Sequence, residues 1–400
     1  MTAAGRFART LAGQWGATLY SAVLSTMVSF ALGRYLGPDF FGDYSYIVTV
    51  ASLFAIVQDG GFSILIFRES AHPSPHLAPQ ASIERTALGH CLLVTAGGLA
   101  VVWLTPMGDK AALSLAVAYY GLFTAGNYLC ASLKGHGRFA SEAKWRMISR
   151  TATTAAVLLA LAVPGTGPAL LFAGWLLGQA TALAMPMAAP ARQIPSFRLD
   201  RGLYRSCGAF LLISATTTIY FKSDIILLSR LTGDPGEVGQ YAAAYRLIEA
   251  AVLFSTPLAQ IFFRKLRVSM NQPAAFKRAL RDQLAVMSAL ALAGTALALW
   301  LGPQVIRLAF GARYGPAMSL CPWLMPSLLF ILPNAVLTQA LIAIGREGFY
   351  ARVTVLAALA NITFNLVLIP YMGARGSALA TVATEALLAA GLAMSYLKRP

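Results

Sequence analysis

Charged side chains interrupt several of the longest apolar stretches of this sequence. Two are bases and four are acids: Lys222, Arg246, Asp59, Asp224, Glu249 and Glu385. A charge at the depth of a lipid bilayer is costly, so each of them suggests a bound ion, a substrate or a charged partner. The bases suit a phosphate, because Arg binds it with a planar fork and Lys offers a point charge.

Four of these residues lie in two consecutive apolar stretches. Counted from the outer ends of the stretches at about 1.5 Å per residue, Lys222 and Glu249 lie roughly 12 Å deep, and Asp224 and Arg246 roughly 8–9 Å deep. If the two helices are neighbours, opposite charges meet at the same level. Only one of Lys222 and Asp224 can face that seam, whereas Arg246 and Glu249 share a face. The group either locks the helices together or lines a cavity that receives a diphosphate.

The stretch 52–67, SLFAIVQDGGFSILIF, carries Asp59 near its centre. Gly60 and Gly61 follow, and such a pair loosens a helix and admits water or a close neighbour. Asp59 either faces a polar interior or forms an interhelical hydrogen bond. Because acids outnumber bases within the apolar stretches, the acids are also candidates for binding a proton or a sodium ion.

The composition predicts the elements that position these residues. Of the 400 residues, 58% are hydrophobic and 12% are charged, and the mean hydropathy is +0.65. Soluble domains carry about 25% charged residues, so we expect an all-α polytopic membrane protein. Apolar stretches of span length predict twelve transmembrane helices: 11–32, 44–67, 87–105, 111–133, 147–163, 167–189, 207–230, 241–263, 284–302, 318–343, 350–369 and 376–396.

The distribution of Lys and Arg predicts the orientation. With the N-terminus inside, the inner segments hold 23 of the 31 Lys and Arg residues and the outer loops hold six. This asymmetry places both termini in the cytoplasm. It also accounts for most of the net charge of +16, so no nucleic-acid partner is needed to explain that charge.

Motifs for enzymatic chemistry are absent from the sequence. The four cysteines are scattered without a CxxC pair, so neither a metal site nor a disulfide framework is expected. No phosphate-binding GxxxxGK[ST] loop, GxSxG or HExxH motif occurs. We therefore expect no cofactor and no enzymatic activity.

Three short motifs recur in the same order along the chain, at offsets of 197 to 210 residues. The pairs are Phe41-Gly42-Asp43-Tyr44 with Val238-Gly239-Gln240-Tyr241, Gly135-His136-Gly137-Arg138-Phe139 with Gly345-Arg346-Glu347-Gly348-Phe349, and Gly167-Pro168-Ala169-Leu170 with Gly376-Ser377-Ala378-Leu379. They predict two six-helix lobes in the same orientation, related by an axis along the membrane normal. The lobes would be 1–190 and 207–400, joined by a cytoplasmic linker at 191–206. The alternative is that glycine-rich turns recur in any polytopic protein.

Two stretches resemble a known family, the bacterial polysaccharide-biosynthesis (O-antigen, Wzx-like) flippases of the multidrug/oligosaccharidyl-lipid/polysaccharide exporter superfamily. They are GRYLGPDFFGDYSYIVTVASLFAIVQDGGFSILIFRES and FKSDIILLSRLTGDPGEVGQYAAAYRL. The family pattern R-x-LGP-x-x-FG-x-Y is followed by D-x-G, and a later aspartate is followed by VG-x-Y-x-x-A-x-R. The matching positions are Arg34, Leu36, Gly37, Pro38, Phe41, Gly42, Tyr44, Asp59, Gly61, Asp224, Val238, Gly239, Tyr241, Ala244 and Arg246.

The resemblance implies a flippase in the bacterial inner membrane. Its cargo would be an oligosaccharide on undecaprenyl diphosphate, moved by alternating access of the two lobes with coupling to an ion. The candidate cavity residues are Arg34, Asp59, Lys222, Asp224, Arg246 and Glu249. The candidates for ion coupling are Asp59, Asp224, Glu249 and Glu385.

Two other functions fit parts of the sequence. A small-molecule antiporter of the multidrug and toxin extrusion type would share the fold. A membrane enzyme such as a polysaccharide polymerase, ligase or glycosyltransferase would need a roomy loop outside the bilayer, and the sequence shows none.

Overall fold

The fold is entirely helical over the residues that the structure, a computed structural model, describes: 3–71, 79–106, 108–198 and 200–397. The helices of the first half are α1 (Ala3–Leu36), α2 (Pro38–Asp59), α3 (Phe62–Ala71), α4 (Gln80–Leu104), α5 (Lys110–Gly135), α6 (Phe139–Leu161) and α7 (Pro168–Ala184). Those of the second half are α8 (Arg201–Thr232), α9 (Pro235–Ser269), α10 (Pro273–Phe310), α11 (Gly315–Leu324), α12 (Leu328–Ala343), α13 (Glu347–Met372) and α14 (Ala374–Leu397). The predicted all-helical class is confirmed.

Seven helical segments of the described residues are long and apolar enough to cross a bilayer. They are Gly13–Leu36, Pro38–Asp59, Gln80–Leu104, Pro273–Phe310, Ala312–Ala343, Gly348–Met372 and Ala374–Met394. The chain is therefore a multi-pass membrane protein. The count of twelve spans stays a prediction, since α5, α6, α7, α8 and α9 are not among these seven segments.

Proline and glycine fix the ends of several helices. Pro38, Pro168, Pro235 and Pro273 open α2, α7, α9 and α10. At a first helical position proline presets φ, and its missing N–H removes no helical hydrogen bond. Gly37, between α1 and α2, has a φ of +85°, which glycine adopts without strain.

The predicted span 44–67 is divided into α2 and α3. Gly60 and Gly61 separate the two helices, with φ of +58° and +84°. Two consecutive residues in the left-handed region interrupt a right-handed helix. Hydropathy gave no sign of the break, because the stretch is apolar on both sides of Asp59.

The predicted span 318–343 is also divided. A 3-10 turn at Met325–Ser327 separates α11 from α12, and its Pro326 lacks the N–H that would continue the α-helix. Further upstream, α8 begins at Arg201, within the predicted linker 191–206.

The chain divides into two compact units. The first comprises Met1–Ser29 and Ile47–Ala215, and the second Phe30–Tyr46 and Thr216–Pro400. In the first unit α5 packs against α3, α4 and α7, and α6 packs against α7. One buried cluster of this unit contains Phe62, Leu65, Ile66, Ile83, Tyr128, Leu203 and Cys207.

The second unit is built around α9, α10, α12 and α14. In this unit α10 packs against α9, α11 and α12, while α14 packs against α11, α12 and α13. One apolar cluster joins α12, α13 and α14 through Leu337, Leu341, Ala357, Ala358, Leu388 and Leu392. The unit positions most of the charged residues that the sequence singled out.

Residues 30–46 comprise the end of α1, the turn at Gly37 and the start of α2. Within the second unit, this α1–α2 turn packs on the start of α9. A Cβ atom at Gly42 would overlap the carbonyl oxygen of Pro235, and one at Gly239 would overlap the carbonyl oxygen of Pro38. Glycine is therefore required at both positions for this close approach.

Candidate functional site

Lys222, Arg246 and Glu249 form an ion-pair cluster between α8 and α9. The Nζ atom of Lys222 lies 3.7 Å from Oε1 of Glu249. Nη1 of Arg246 donates a short hydrogen bond to Oε2 of Glu249, one turn further along α9. The predicted level placement of Lys222 with Glu249 is confirmed, as is the face shared by Arg246 and Glu249.

The cluster is partly exposed. The side chains of Lys222, Arg246 and Glu249 are 29%, 30% and 37% exposed. Both cations contact the same carboxylate. A guanidinium fork and an ammonium group side by side suit a phosphate.

Asp224 is buried and points away from this cluster. Its Oδ2 accepts a hydrogen bond of 2.5 Å from the Tyr241 hydroxyl, and its Oδ1 accepts one of 3.0 Å from the N–H of Ile225. The Tyr241 hydroxyl also lies 3.2 Å from Oγ1 of Thr381 on α14. Of Lys222 and Asp224, it is therefore Lys222 that meets Glu249, and Asp224 joins a separate polar network.

That network continues through α13 and α14 as a chain of buried amides and hydroxyls. Its members run from Thr381 through Ser377, Asn365 and Asn361 to Thr384, with Ser223 of α8 bonded to Asn361. Buried polar groups that satisfy one another across helices fix the helices in register.

Glu385 is buried next to this chain. Nδ2 of Asn334, on α12, donates to Oε2 of Glu385 at 2.8 Å and to its backbone oxygen at 3.0 Å. Glu385 and Asp224 thus occupy two points in one region of hydroxyl and amide oxygens. Oxygen atoms of these types bind hard cations, and a carboxylate among them can also hold a proton.

Asp59 ends α2, and its carboxylate turns to the start of α3. Its Oδ2 accepts from the N–H of Gly61 at 3.1 Å. Its Oδ1 accepts from the N–H of Ser63 at 3.3 Å and, more closely, from the Ser63 hydroxyl. A carboxylate that accepts from N–H groups at the start of a helix stabilises it. Asp59 also borders a cavity of about 620 Å³ that includes Lys134.

Side chains of neighbouring helices satisfy the carbonyl groups freed by this break. The Tyr128 hydroxyl donates to the backbone oxygens of Gln58 and Asp59, at 3.0 and 3.2 Å. Nε2 of His90 lies 2.8 Å from the backbone oxygen of Val57. Non-helical backbone at membrane depth persists only with partners of this kind, so the break is a built feature of the first unit.

Arg34 lies at the end of α1 and bonds to another helix end. Its Nη1 donates to the backbone oxygen of Leu308 at 2.8 Å, while Nη2 of Arg313 donates to the backbone oxygen of Arg34 at 3.3 Å. Both bonds satisfy carbonyl groups near helix C-termini. This is a packing contact in the second unit, and the place of Arg34 in a substrate cavity stays a prediction.

A charged cluster on α6 of the first unit was not predicted from the sequence. Glu142, Arg146 and Arg150 lie four residues apart on one face, and Glu142 is completely buried. Nζ of Lys134 and Nε of Arg146 each lie 3.4 Å from Oε1 of Glu142. The predicted span began at 147, so most of this face was counted with the preceding loop. The regular spacing was the signal that could have found it.

No three His, Cys, Asp or Glu side chains of the described residues are grouped so as to hold a metal ion. The four cysteines are free thiols.

The sequence matches a family model described as polysaccharide biosynthesis protein over residues 14–263. A probable low-salt glycan biosynthesis flippase, Agl15 of Haloferax volcanii, is 22% identical over 62% of this chain and 53% of its own length. The capsular polysaccharide biosynthesis protein CapF of Staphylococcus aureus is 27% identical over 32% of this chain and 33% of its own length. The chain thus spans about half the length of the first relative and a third of the second.

Solved structures share the fold over nearly the whole chain. The lipid II flippase MurJ in an inward closed conformation superposes with a TM-score of 0.75 at 14% identity, covering 96% of this chain and 87% of the other. An inward-facing multidrug resistance MATE family transporter of the MOP superfamily gives a TM-score of 0.66 at 15% identity, with coverages of 96% and 94%.

Proposed function

This chain belongs to the polysaccharide biosynthesis protein family, and we propose that it is a flippase for a lipid-linked oligosaccharide. The carrier is undecaprenyl diphosphate, and the cargo passes from the cytoplasmic to the periplasmic leaflet of the bacterial inner membrane. The movement proceeds by alternating access and is coupled to an ion. The protein acts as a transporter and not as an enzyme.

The observation that carries this proposal is the cluster of Lys222, Arg246 and Glu249. Its two cations are held side by side inside a membrane protein, and all three side chains remain partly exposed. Within the cluster, the guanidinium fork of Arg246 and the ammonium group of Lys222 lie around one carboxylate. Two such groups held together support a role in binding the diphosphate of the carrier.

The network around Asp224 supports the coupling to an ion. Asp224 is 4% exposed and Glu385 is 3% exposed, and hydroxyl and amide groups surround both. A proton or a sodium ion that binds there alters the charge and the hydrogen bonds between α8, α9 and α14. Such a change gives ion binding a means to favour one conformation over another.

The test is a deletion of the gene with measurement of surface polysaccharide and of the lipid-linked intermediate. A flippase predicts loss of the surface polymer and accumulation of the intermediate in the inner leaflet. Reconstituted protein should also move a labelled polyprenyl diphosphate-linked sugar across proteoliposomes. Normal surface polysaccharide in the deletion strain, at normal growth, would contradict the proposal.

The likeness to a multidrug resistance transporter favours a second function, a small-molecule antiporter of the multidrug and toxin extrusion type. That function predicts drug sensitivity on deletion together with unchanged surface polysaccharide. The same deletion strain therefore separates the two.

A further inference from the structure

The face of α6 that carries Arg146 and Arg150 packs against α1 through neutral groups. Nη1 of Arg146 donates to Oγ1 of Thr18 at 3.1 Å, and Nη2 donates to the backbone oxygen of Gln14 at 3.3 Å. Nη2 of Arg150 donates a short hydrogen bond to Oγ of Ser25. These partners accept hydrogen bonds and carry no charge of their own.

The cluster holds more positive than negative charge. Glu142 is paired with Lys134 and Arg146. With Arg150 counted, the cluster holds three cations and one carboxylate. Within the part of the chain that the structure describes, no salt bridge reaches Arg150, and its buried Nε has no hydrogen-bond partner. Cζ of Arg150 lies 5.3 Å from the ring centre of Trp175, a contact that orients the guanidinium without neutralising it.

The two arginines border a cavity. They line a cavity of about 280 Å³, together with Ser25, Asn127, Ser149 and Gln179. The volume is near the lower end of ligand pockets, ~300–1,000 Å³. Phe123, Asn127 and Cys130 also line the larger cavity of about 620 Å³ that contains Lys134, so the two spaces share a wall.

Arg150 bonds to Ser25, which lies twelve residues into the candidate span Gly13–Leu36. A cation held beside a membrane span by neutral partners is expensive to retain. The two singly charged phosphates of a diphosphate diester would balance the excess charge of the cluster.

We propose that Arg146 and Arg150, with Ser25 and Ser149, form a diphosphate-binding site in the first unit. The ligand class is a diphosphate ester whose lipid tail can lie along the helices. The inference rests on the proposed function for the identity of the cargo, but the site itself follows from the charges and the cavity. Its residues belong to the first unit, whereas those of the Lys222 cluster belong to the second.

The test is direct binding to the purified full-length chain in nanodiscs of phosphatidylcholine, measured by titration calorimetry. Inorganic diphosphate probes the free anion, and farnesyl diphosphate probes the same group on a lipid tail. Nanodiscs with added phosphatidylglycerol show whether an ordinary anionic headgroup competes. The variants are Arg150→Gln and Arg150→Lys, and the matched control is Lys144→Gln, which removes an exposed charge from the same helix.

Farnesyl diphosphate should bind the wild type and Lys144→Gln equally, and should bind Arg150→Gln and Arg150→Lys at least about tenfold more weakly, because both lose the fork. Elution volume and thermal unfolding establish that each variant is folded. If Arg150→Gln does not fold, Arg150→Lys decides the comparison. Wild-type affinity in a folded Arg150 variant, or no binding of either diphosphate to the wild type, overturns the site. Stronger binding of phosphatidylglycerol than of farnesyl diphosphate overturns the ligand class.

Export is measured separately in the deletion strain. If the wild type binds farnesyl diphosphate through Arg150 but deletion of the gene leaves surface polysaccharide normal, the proposed function fails and the binding site stands. If deletion abolishes the polymer but Arg150→Gln binds normally, the site fails and the proposed function stands.

Discussion

Arg246 presents a forked guanidinium where a point charge would be enough to balance Glu249. If its role is to neutralise this acid, Arg246→Lys should preserve function. If it binds a diphosphate, the variant loses the bidentate geometry. We expect Arg246→Lys to reduce export about tenfold, nearly as much as Arg246→Ala. The measurement is complementation of surface polysaccharide at matched protein levels.

The control for this comparison is Arg352→Lys, which alters an exposed arginine of α13 and should leave export unchanged. Full rescue by Arg246→Lys would identify the residue as a structural counter-ion. Normal export by Arg246→Ala at normal abundance would remove any essential role.

Asp59 acts on the local backbone, and this leads to a different expectation. The single amide oxygen of Asn can still accept the hydrogen bonds that Ser63 donates but not also the one from Gly61, whereas Ala accepts none. Asp59→Asn should therefore keep export near the wild-type level and lose less stability than Asp59→Ala, which should lose about 1–2 kcal/mol. Thermal unfolding in detergent and complementation measure the two effects. Loss of export in a stable Asp59→Asn variant would show that the negative charge itself is needed.

At the scale of elements, the α8–α9 pair and α14 hold the Asp224 network. Asp224→Asn keeps the shape of the side chain and removes the charge that an ion would neutralise. We expect the variant to equilibrate cargo across proteoliposomes but to lose its response to an imposed proton or sodium gradient. Asp282→Asn, which alters a half-exposed acid on α10, is the control. A gradient response that survives in Asp224→Asn would exclude this carboxylate from coupling.

The meeting of Lys222 with Glu249 could be predicted because the rise of a helix is fixed. Counting residues from the outer ends of the two apolar stretches gives the depth of each charged residue, and the depths of Lys222 and Glu249 came out equal. The partner of Asp224 could not be found in this way. Tyr241 reaches it because α8 is rotated so that Asp224 faces Tyr241 and Thr381, and that rotation depends on the packing of three helices.

The break after Asp59 shows the same limit. Gly60 and Gly61 predicted a loosened helix, but a glycine pair by itself does not show that the helix ends there. The break exists because Tyr128 and His90 satisfy the freed carbonyl groups. Both residues are more than 30 positions away along the chain, and sequence periodicity carries no information about contacts of that range.

At the scale of the whole molecule, the orientation in the membrane is open to a direct test. Reporter fusions at residues 110, 232 and 373 should score as periplasmic, and fusions at 140, 197 and 272 as cytoplasmic, because of the distribution of Lys and Arg. A periplasmic score at 197 would overturn the arrangement. The lobes at 1–190 and 207–400 also stay a prediction, which superposition of the two halves in one orientation would support.

The glycine contact between the α1–α2 turn and α9 gives a matched pair of variants. Gly42→Ala and Gly239→Ala each place a Cβ atom against a backbone carbonyl, and overpacking of this kind costs about 1–3 kcal/mol. Both variants should lower the midpoint of thermal unfolding by similar amounts. Gly294→Ala, at a helical position with open space around it, should not. Unequal effects of the first two would contradict the equivalence of the two sites.

The arrangement of that contact is reciprocal. Gly42 and Gly239 are 197 positions apart, and so are Pro38 and Pro235. Gly42 meets Pro235 while Gly239 meets Pro38, so each half of the contact is the image of the other. This is the isologous pattern of a homodimer, in which one surface patch meets its own copy across a two-fold axis. The chain thus keeps, within a single polypeptide, a contact of the kind that two identical protomers would make.

In a dimer one mutation alters both sides of such a contact at once. Here each glycine must be preserved separately, and losing either one is enough to open the contact.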